Sequence, residues 1–467
     1  MTTTTTTNGQ ARETFSTSRM MDFFSEKELA AQTGHGTEDW PLVALKELAD
    51  NALDACEEAG IAPRLDVTLG EDHITITDNG PGIPAETVEG VTDYSVRVSS
   101  REAYVEPTRG AQGNALKTLL AMPFVLDHEH GQVDVEARGI RHRLVVRVNR
   151  VRQVPGIDHQ KADSDITEGT KITLYWPDKA RLILVRSARR FLQVAEDFAW
   201  INPHLDLTVQ ASIRDESENC QRVNRHYEPT DASWAVRKWT PATPPVAWWY
   251  GVEELTRLVA ACIARDADRG EDRTVREFVA GFKGLSSTVK QKRVTDATEL
   301  SRSKLSELAS GGELDEARIG ALLDAMKAES KPVKPRALGL IGEDHFRQRC
   351  EAAGCEMDTF AYQKVLSGPD ADIPSIVEVA FAAHQGALDA TAGEYGERRL
   401  ITGVNFSAGL LNPFRELGEV GESLDSVLSA QWAGRHEPIL LVLHATCPRV
   451  RYADRGKSSI LLGKGGE

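Results

Sequence analysis

The sequence has no long apolar run and no leader-like start, and both absences limit what the protein can be. No stretch of about 18 apolar residues is present, so we expect no membrane-spanning helix. The first ten residues, MTTTTTTNGQ, lack the basic flank and apolar core of a secretory signal. We therefore expect residues 1–20 to form a disordered tail, and the cytoplasm is the expected location.

Cysteine pairs and excess positive charge are also missing. The six cysteines contain no CxxC pair, which argues against a disulfide framework or a zinc site. We expect buried thiols at Cys56, Cys220, Cys262, Cys350, Cys355 and Cys447. The formal charge of −15 means that the protein as a whole repels nucleic acid, so any DNA contact requires local basic patches.

The first part of the chain alternates helix and strand patterns. Residues 41–60 carry apolar side chains at helical spacing and end at Gly60, which predicts a helix. RLDVTLG and HITITDN read as two strands, and a second helical run, ALKTLLAM, comes later. Further strands are predicted in VDVEARG, HRLVVRVNRV and TKITLYWP. The order predicts an α/β sandwich in which helices cover one face of a mixed sheet.

The remainder of the 467 residues is long enough for further domains, and about three are expected in total. EPTDASWAVRKWTPATPPVAWW reads as a linker, and residues 251–330 have a helical pattern. Strand patterns return in PSIVEVAFAAH, RRLITGVNFS and PILLVLHAT, with a helix-like GESLDSVLSAQWA before the last. This predicts a second α/β domain.

Three short motifs carry candidate chemistry. Glu47, Asn51 and Asp54 stand at i, i+4 and i+7 of the first predicted helix, so they share one face. That face could equally be solvated surface. The turn DNGPGI, residues 78–83, follows a strand and has glycines where the backbone bends sharply, although a simple β-turn has the same composition. Residues 110–113, GAQG, open a helix in the manner of a phosphate cradle.

Together, in this order and spacing, the motifs resemble the GHKL ATPases, the class of gyrase, mismatch-repair, heat-shock chaperone and histidine kinase ATPases. The resemblance implies an α+β fold with a Bergerat-type ATP site and Mg²⁺ as cofactor. It implies Glu47 as the general base for the attacking water, Asn51 as the Mg²⁺ ligand, and Asp78 as the acceptor for the adenine amino group. Gly80 and Gly82 would let the backbone pass the nucleotide.

The same resemblance implies further nucleotide contacts. Asp54 would complete the polar face of the first helix, and Thr170, in EGTKITL, fits the threonine near the adenine. The lid over the phosphates would comprise Gly110, Ala111, Gln112, Gly113 and Asn114. Ala115 replaces the usual third glycine, so the lid could close differently or use Lys117 on phosphate. A surface role for Lys117 is an equal alternative.

Within the class, the sequence resembles the B subunit of DNA topoisomerase VI, which is the ATPase component of type IIB topoisomerases. The similarity rests on LADNALDACEEAGI, DNGPGIP, TRGAQG and the strap-like FFSEKELAAQTG. GVEELTRLVAACI and TVREFVAGFKGLSS resemble the helix-two-turns-helix insert, and GVNFSAGLLNPF resembles the transducer. The implied domains are the tail at 1–20, the ATPase domain with its strap at 21–228, a linker with the helical domain at 229–335, and a transducer-like domain at 336–467.

Lys457 lies in a loop that resembles the transducer switch loop, CPRVRYADRGKSSI. The resemblance implies that Lys457 senses the γ-phosphate as a point charge and couples hydrolysis to a domain rotation. An exposed surface lysine is the alternative. The long transducer helix that would follow is missing before Glu467, so either the chain is shortened or it belongs to a relative that couples ATP to another process.

The implied function is an ATP-dependent clamp that dimerises on ATP binding and captures DNA for strand passage by a separate Toprim-type cleavage subunit. The alternative is an ATP-switched protein or DNA binding module without a topoisomerase partner, as in defence or chromosome-organising relatives. Two groups of basic residues could contact phosphates, although solvated charge is the commoner explanation. They are Lys283, Lys290, Lys292 and Arg293 in one group, and Arg141, Arg143 and Arg147 in the other.

Overall fold

In the described residues, the computed structural model has two large β-sheets and, between them in sequence, a group of helices with a small two-stranded sheet. It describes residues 23–92, 103–109, 115–149, 154–214, 220–233, 237–368, 373–384, 398–415, 423–452 and 459–460. The tail predicted for residues 1–20 lies outside this description.

The first sheet has eight strands in the order β5-β4-β3-β6-β2-β1-β7-β8. Its strands are β1 (Arg64–Leu69), β2 (His73–Asp78), β3 (His130–Ala137), β4 (Ile140–Asn149), β5 (Val154–Asp163), β6 (Thr170–Tyr175), β7 (Asp206–Arg214) and β8 (Cys220–Tyr227). β1 and β7 pair in parallel, and the other neighbours are antiparallel, so the sheet is mixed as predicted. In β1, Leu65, Val67 and Leu69 are buried, and the side chains between them are more exposed. This alternation is that of a sheet with one covered face.

Five helices accompany this sheet. They are α1 (Glu26–Thr33), α2 (Trp40–Glu58), α3 (Ala85–Val91), α4 (Ala115–Asp127) and α5 (Arg181–Ile201). Pro41 lies in the first turn of α2, where its missing N–H costs nothing, and Gly60 takes a left-handed φ of 68° just after the helix. Leu45, Leu48 and Leu53 are almost wholly buried, and each such side chain contributes roughly 1.5–3 kcal/mol of hydrophobic stabilisation. The helix predicted over residues 41–60 is confirmed.

The helical segment has its own apolar core. It comprises α6 (Val252–Asp268), α7 (Val275–Ala280), α8 (Thr288–Ala297) and α9 (Glu316–Glu329), with a short hairpin of β9 (Ala309–Ser310) and β10 (Glu313–Leu314). Trp239 and Trp249, which the sequence placed in a linker, are buried in this core. Apolar aromatic side chains stabilise the segment by leaving water, which explains why part of the expected linker is packed structure.

The second sheet has five strands in the order β11-β12-β15-β13-β14, with β13 and β15 parallel. Its elements are α10 (Glu343–Ala352), β11 (Cys355–Leu366), β12 (Ile376–His384), β13 (Arg399–Val404), β14 (Ser407–Ala408), α11 (Leu424–Ala430) and β15 (Ile439–Thr446). The three predicted strands and the helix between them are present. The sequence did not indicate β11, because only one of its twelve side chains is buried and apolar alternation is weak.

One hydrophobic core joins the two sheets. Ile401 and Val442 of the second sheet belong to the same buried cluster as Phe198 and Ile201 of α5. The position of the second sheet is therefore coupled by packing to the helices of the first. In the described part of the chain, no helix combines the length and the apolar character needed to cross a bilayer.

Candidate nucleotide site

The turn after β2 is built around the carboxylate of Asp78. Its Oδ1 accepts hydrogen bonds from the backbone N–H of Gly80 at 2.8 Å and of Thr170 at 3.2 Å. The N–H of Gly169 donates to the carbonyl of Gly80 at 2.9 Å, and the Thr170 hydroxyl accepts from the N–H of Ile83 at 3.2 Å. The structure thus brings three predicted site residues from two distant segments into one hydrogen-bonded unit.

Two glycines allow the close approach of these segments. Gly82 and Gly169 have φ values of 75° and 73°, which side-chain-bearing residues rarely adopt. A Cβ on Gly169 would lie 1.8 Å from the carbonyl oxygen of Asp78, and one on Gly82 would lie 3.0 Å from the carbonyl oxygen of Gly169. Sequence reasoning did not single out Gly169. Its position directly before Thr170 at the start of a strand was the available signal.

Burial raises the pKa of Asp78 to about 6, although the hydrogen bonds from Gly80 and Thr170 favour the ionised form. Both hydrogen bonds engage Oδ1. No described residue donates to Oδ2, so this oxygen can accept a hydrogen bond from an amino group of a ligand.

Side chains behind the turn connect it to α2. Asn79 donates to the carbonyl of Ala62 at 3.0 Å and accepts from the N–H of Arg64 at 2.8 Å. The Cys56 thiol, on α2, lies 3.5 Å from Oδ1 of Asn79, and burial raises the pKa of this thiol to about 12. The turn and the helix therefore form one rigid frame.

Glu47 and Asn51 lie on α2 with their side chains accessible. Glu47 is half-buried, Asn51 is exposed, and neither side chain hydrogen-bonds with any of the described residues. A carboxylate and an amide oxygen one turn apart can meet one ligand, and both are hard oxygen donors of the kind that Mg²⁺ prefers.

Asp54 does not share this accessible face, and its contact with the nucleotide stays a prediction. Its side chain is almost wholly buried and accepts a hydrogen bond from Arg109 at 2.8 Å. Helical spacing alone placed Asp54 beside Glu47. Tertiary contacts cover this end of the helix, so we assign Asp54 to a buried ion network.

The predicted phosphate loop is only partly within the description. Gly110, Ala111, Gln112, Gly113 and Asn114 lie outside the described residues. Lys117, in the first turn of α4, is 2% exposed, which excludes the alternative of a surface lysine. A phosphate contact for Lys117 stays a prediction.

Lys457 also lies outside the described residues, but the two ends of its loop are inside them. Tyr452 and Ile460 form an antiparallel bridge, so they hold the ends of the loop together. Burial raises the pKa of the Tyr452 phenol, and the negative charge of Asp50 on α2 raises it further. The base of the loop therefore lies near the helix that carries Glu47 and Asn51.

The basic residues proposed to bind phosphate mostly have protein partners. Arg141 and Arg143 pair with the buried carboxylate of Asp134, the latter at 3.6 Å. In the helical segment, Lys283 lies 4.7 Å from the ring centroid of Trp239, and Arg293 pairs with a glutamate at 3.5 Å. These contacts favour structural roles for them.

Four of the cysteines, Cys56, Cys262, Cys350 and Cys355, are buried free thiols as predicted. Cys447 is a free thiol that is only partly buried, and the side chain of Cys220 lies outside the description. One group of three potential metal ligands occurs among the described residues, at Asp127, Glu129 and His130. Asp127 already pairs with Lys179 at 3.1 Å, so this group carries no metal assignment.

Comparison with known proteins identifies similar sequences for the first part of the chain. Residues 36–180 match the family described as histidine kinase-, DNA gyrase B- and HSP90-like ATPases. The B subunit of type 2 DNA topoisomerase 6 from Archaeoglobus fulgidus is 29% identical over 174 residues, which are 36% of this chain and 28% of that protein. Its counterpart from Natronomonas pharaonis is 29% identical over 199 residues, 40% of this chain and 23% of its own. The matched segments thus span about a quarter of these relatives.

A shorter match has a higher identity. The topoisomerase 6 B subunit of Methanosarcina barkeri is 44% identical over 77 residues, which are 15% of this chain and 12% of that protein. A solved structure titled as the N-terminal domain of a DNA repair protein aligns with 91% of both chains, at 12% identity and a TM-score of 0.40, which is too low to establish a shared fold. Residues 36–180 thus match the histidine kinase-, DNA gyrase B- and HSP90-like ATPase family, and part of the chain is similar to archaeal topoisomerase 6 B subunits.

Proposed function

We propose that the protein binds ATP between α2 and the turn after β2, and hydrolyses it with Glu47 as general base. The observation that carries the proposal is the pairing of two features. Asp78 is held by Gly80 and Thr170 with one oxygen available, and the side chains of Glu47 and Asn51 on the neighbouring helix have no hydrogen-bond partner among the described residues.

In the proposed mechanism, each side chain has one task. Asp78 accepts a hydrogen bond from the adenine amino group, which selects the base. Glu47 orients the attacking water and takes its proton, as a carboxylate within reach of the γ-phosphate can do. Asn51 would hold Mg²⁺ through its amide oxygen, and bound Mg²⁺ would neutralise phosphate charge.

Further residues are proposed as phosphate contacts. Lys117 is in the first turn of α4, four residues after the sequence GAQG of residues 110–113, and would reach a phosphate from there. Lys457 would contact the γ-phosphate from its loop between Tyr452 and Ile460.

The experiment is a comparison of Glu47→Ala with Glu38→Ala, an exposed glutamate just before α2. Calorimetry with a non-hydrolysable ATP analogue should give the same Kd for both variants and the unmodified protein. Steady-state hydrolysis should fall by at least about 100-fold for Glu47→Ala only, the usual size of a lost general base. Loss of binding in Glu47→Ala would contradict its role as base. No binding by the unmodified protein would contradict the whole proposal.

We further propose that ATP joins two copies into a clamp on DNA and that a separate cleavage subunit carries out strand passage. The similarity of part of the chain to the topoisomerase 6 B subunits supports this proposal. Light scattering with the ATP analogue tests dimerisation, and supercoil relaxation with and without a co-purified Toprim-type protein tests strand passage.

A second candidate is an ATP-switched binding module that works without a cleavage subunit. It is favoured by the extent of the similarity, which covers at most 40% of this chain in the relatives described above. ATP-dependent dimerisation without relaxation, and a stable partner that lacks a Toprim domain, would favour this candidate over the topoisomerase.

A further inference from the structure

The hairpin between β13 and β14 inserts into the first part of the protein in an unusual conformation. Asn405 and Phe406 have φ values of 51° and 67°. Two successive positive φ values match a two-residue hairpin turn, but a phenylalanine there is strained. Phe406 is nevertheless wholly buried. Such strain persists only where surrounding contacts hold it, so its contacts indicate what the hairpin does.

The backbone of Phe406 is held from several sides. Its carbonyl accepts hydrogen bonds from Nε of Arg109 at 3.0 Å and from Nδ2 of Asn202 at 3.1 Å. Its N–H donates to Nε2 of His444 at 3.1 Å. The ammonium group of Lys238 lies 4.7 Å from the centre of its ring. The hairpin tip is therefore fixed to β15 of its own sheet and to Arg109, Lys238 and the end of α5.

Arg109 connects this tip to α2. Its guanidinium donates to Asp54 at 2.8 Å and to both carboxylate oxygens of Glu57, at 2.7 and 2.8 Å. The side chains of Arg109 and Glu57 have no solvent exposure. Lys238 also pairs with Glu57, at 2.5 Å, so two cations face two carboxylates in this cluster. Buried charges balanced in this way are costly to separate.

A second contact reaches α2 one turn earlier. The Ser407 hydroxyl donates to Oδ2 of Asp50 at 2.6 Å and also accepts a hydrogen bond from Lys46. Lys46 donates to the same oxygen of Asp50 at 2.7 Å. The hairpin therefore contacts α2 at residues 46 and 50 directly, and at residues 54 and 57 through Arg109. These positions form one face of the helix along most of its second half.

We infer that the hairpin tip, residues 405–407, is a positioning element that holds α2 in register with the second sheet. Through α2, it sets where Glu47 and Asn51 stand relative to the turn of Asp78. The inference rests on the proposed ATPase function. Glu47 lies in α2 between Lys46 and Asp50, which both contact Ser407 of the hairpin. A shift of the hairpin therefore displaces the proposed base directly. A displacement near 1 Å can reduce a chemical step by about 100-fold.

Contacts between α5 and the second sheet do not involve residues of α2 and serve as the comparison. Arg190 on α5 donates to the carbonyl of Leu410 at 3.1 Å, and Arg399 on β13 pairs with Asp197 on α5. If the hairpin only held the two parts of the protein together, losing one of its hydrogen bonds would change ATP hydrolysis as much as losing one of these α5 contacts.

The experiment compares Ser407→Ala with Arg190→Met. The first removes the hydrogen bond from Ser407 to Asp50 on α2, and the second removes the hydrogen bond from Arg190 to the carbonyl of Leu410. We measure kcat and KM of ATP hydrolysis, the Kd of a non-hydrolysable analogue, thermal stability, and amide hydrogen exchange in residues 40–58. Ser407→Ala should lower kcat about tenfold, change Kd less than twofold, and accelerate exchange in α2. Arg190→Met should leave kcat and exchange in α2 unchanged at a similar loss of thermal stability.

Arg109→Lys serves as a second variant. It keeps a positive charge but cannot donate to Glu57, Asp54 and Phe406 together, and it should lower kcat more than Ser407→Ala. An unchanged kcat and unchanged α2 exchange in Ser407→Ala overturn the inference while the ATPase stands. Equal loss of kcat in Ser407→Ala and Arg190→Met also overturns it. Absence of ATP binding and hydrolysis in the unmodified protein overturns the proposed function first, and this inference with it.

Discussion

Gly169→Ala tests the construction of the proposed adenine pocket most directly. The substitution adds one methyl group where the backbone has a φ of 73°, and that methyl would lie 1.8 Å from the carbonyl oxygen of Asp78. Real Cβ atoms keep at least 3.0 Å, so the start of β6 and the end of β2 must separate by more than about 1 Å. This movement breaks the Gly169–Gly80 hydrogen bond and the one from Thr170 to Asp78.

The size of the effect follows from these contacts. A left-handed backbone costs alanine roughly 1–2 kcal/mol, and each lost hydrogen bond costs about 1 kcal/mol. The combined loss is roughly 3–4 kcal/mol, and the melting temperature of the domain should fall on the order of 10 °C. Because Asp78 moves with the turn, the Kd for ATP should increase about 100-fold.

The matched control is Gly354→Ala. Gly354 has a φ of 74°, and a Cβ there would meet nothing within 4 Å. Gly354→Ala has the free-energy cost of a left-handed alanine backbone, but its methyl group meets no neighbouring atom. It should therefore lower the melting temperature by only a few degrees and leave the Kd for ATP unchanged. Thermal melting and calorimetry on both variants give the comparison. If Gly169→Ala behaved like Gly354→Ala, the close approach of β6 to Asp78 would not govern the pocket.

Four further predictions follow from buried groups. ATP affinity should decrease as pH falls through about 6. The pKa of Asp78 is raised to about 6, and its ionised carboxylate is the proposed acceptor for the adenine amino group. Calorimetry across pH 5–8 measures this decrease. Arg109→Met should lower the free energy of unfolding by about 3–5 kcal/mol, because it leaves buried carboxylates without their cation. Burial opposes ionisation of Glu57, but Arg109 and Lys238 hold the pKa of this carboxyl well below its usual range. The native state therefore loses stability as pH falls below about 4.5, the ordinary pKa of a glutamate, and acid denaturation should begin there. Trp239→Ala should cost roughly 3–5 kcal/mol in the helical segment, measured by chemical denaturation.

The predictions for Asp78, Arg109 and Trp239 each have a control. Asp78→Asn reports the pH dependence that comes from the phosphates alone, and an identical profile in the unmodified protein would exclude Asp78 as the titrating group. For Arg109→Met, the added substitution Glu57→Gln should recover part of the loss, and simple additivity would argue against a coupled network. Trp432→Ala, at a tryptophan that is 90% exposed, should leave stability nearly unchanged. A loss as large as that of Trp239→Ala would contradict the assignment of Trp239 to the core.

The buried network around Arg109 connects the two α/β parts of the protein. The network joins α2 of the first sheet to the hairpin of the second, and the hydrophobic core continues across the same boundary. The second sheet therefore constrains the helix that carries the proposed base. Because an ion network without solvent has few alternative arrangements, we expect motion of one part to be transmitted to the other.

The sequence by itself determined the local elements and the motif residues. Apolar spacing located α2 and the strands on both sides of the turn, and the glycines of DNGPGIP indicated a sharp bend at Asp78. These features depend on residues within one or two turns of each other, so they are legible in a linear pattern. The same reasoning did not detect β11, whose exposed faces carry little apolar alternation.

Only the tertiary structure decided which polar residues meet. Asp54 has the helical spacing of a site residue, yet Arg109, 55 positions away, covers it and draws it into the interior. Gly169 lies 91 positions from Asp78, and the pairing of β2 with β6 makes it essential. Phe406 contacts Arg109 from 297 positions away. Such contacts depend on how sheets and helices pack, and packing is a property of the whole chain that no local pattern encodes.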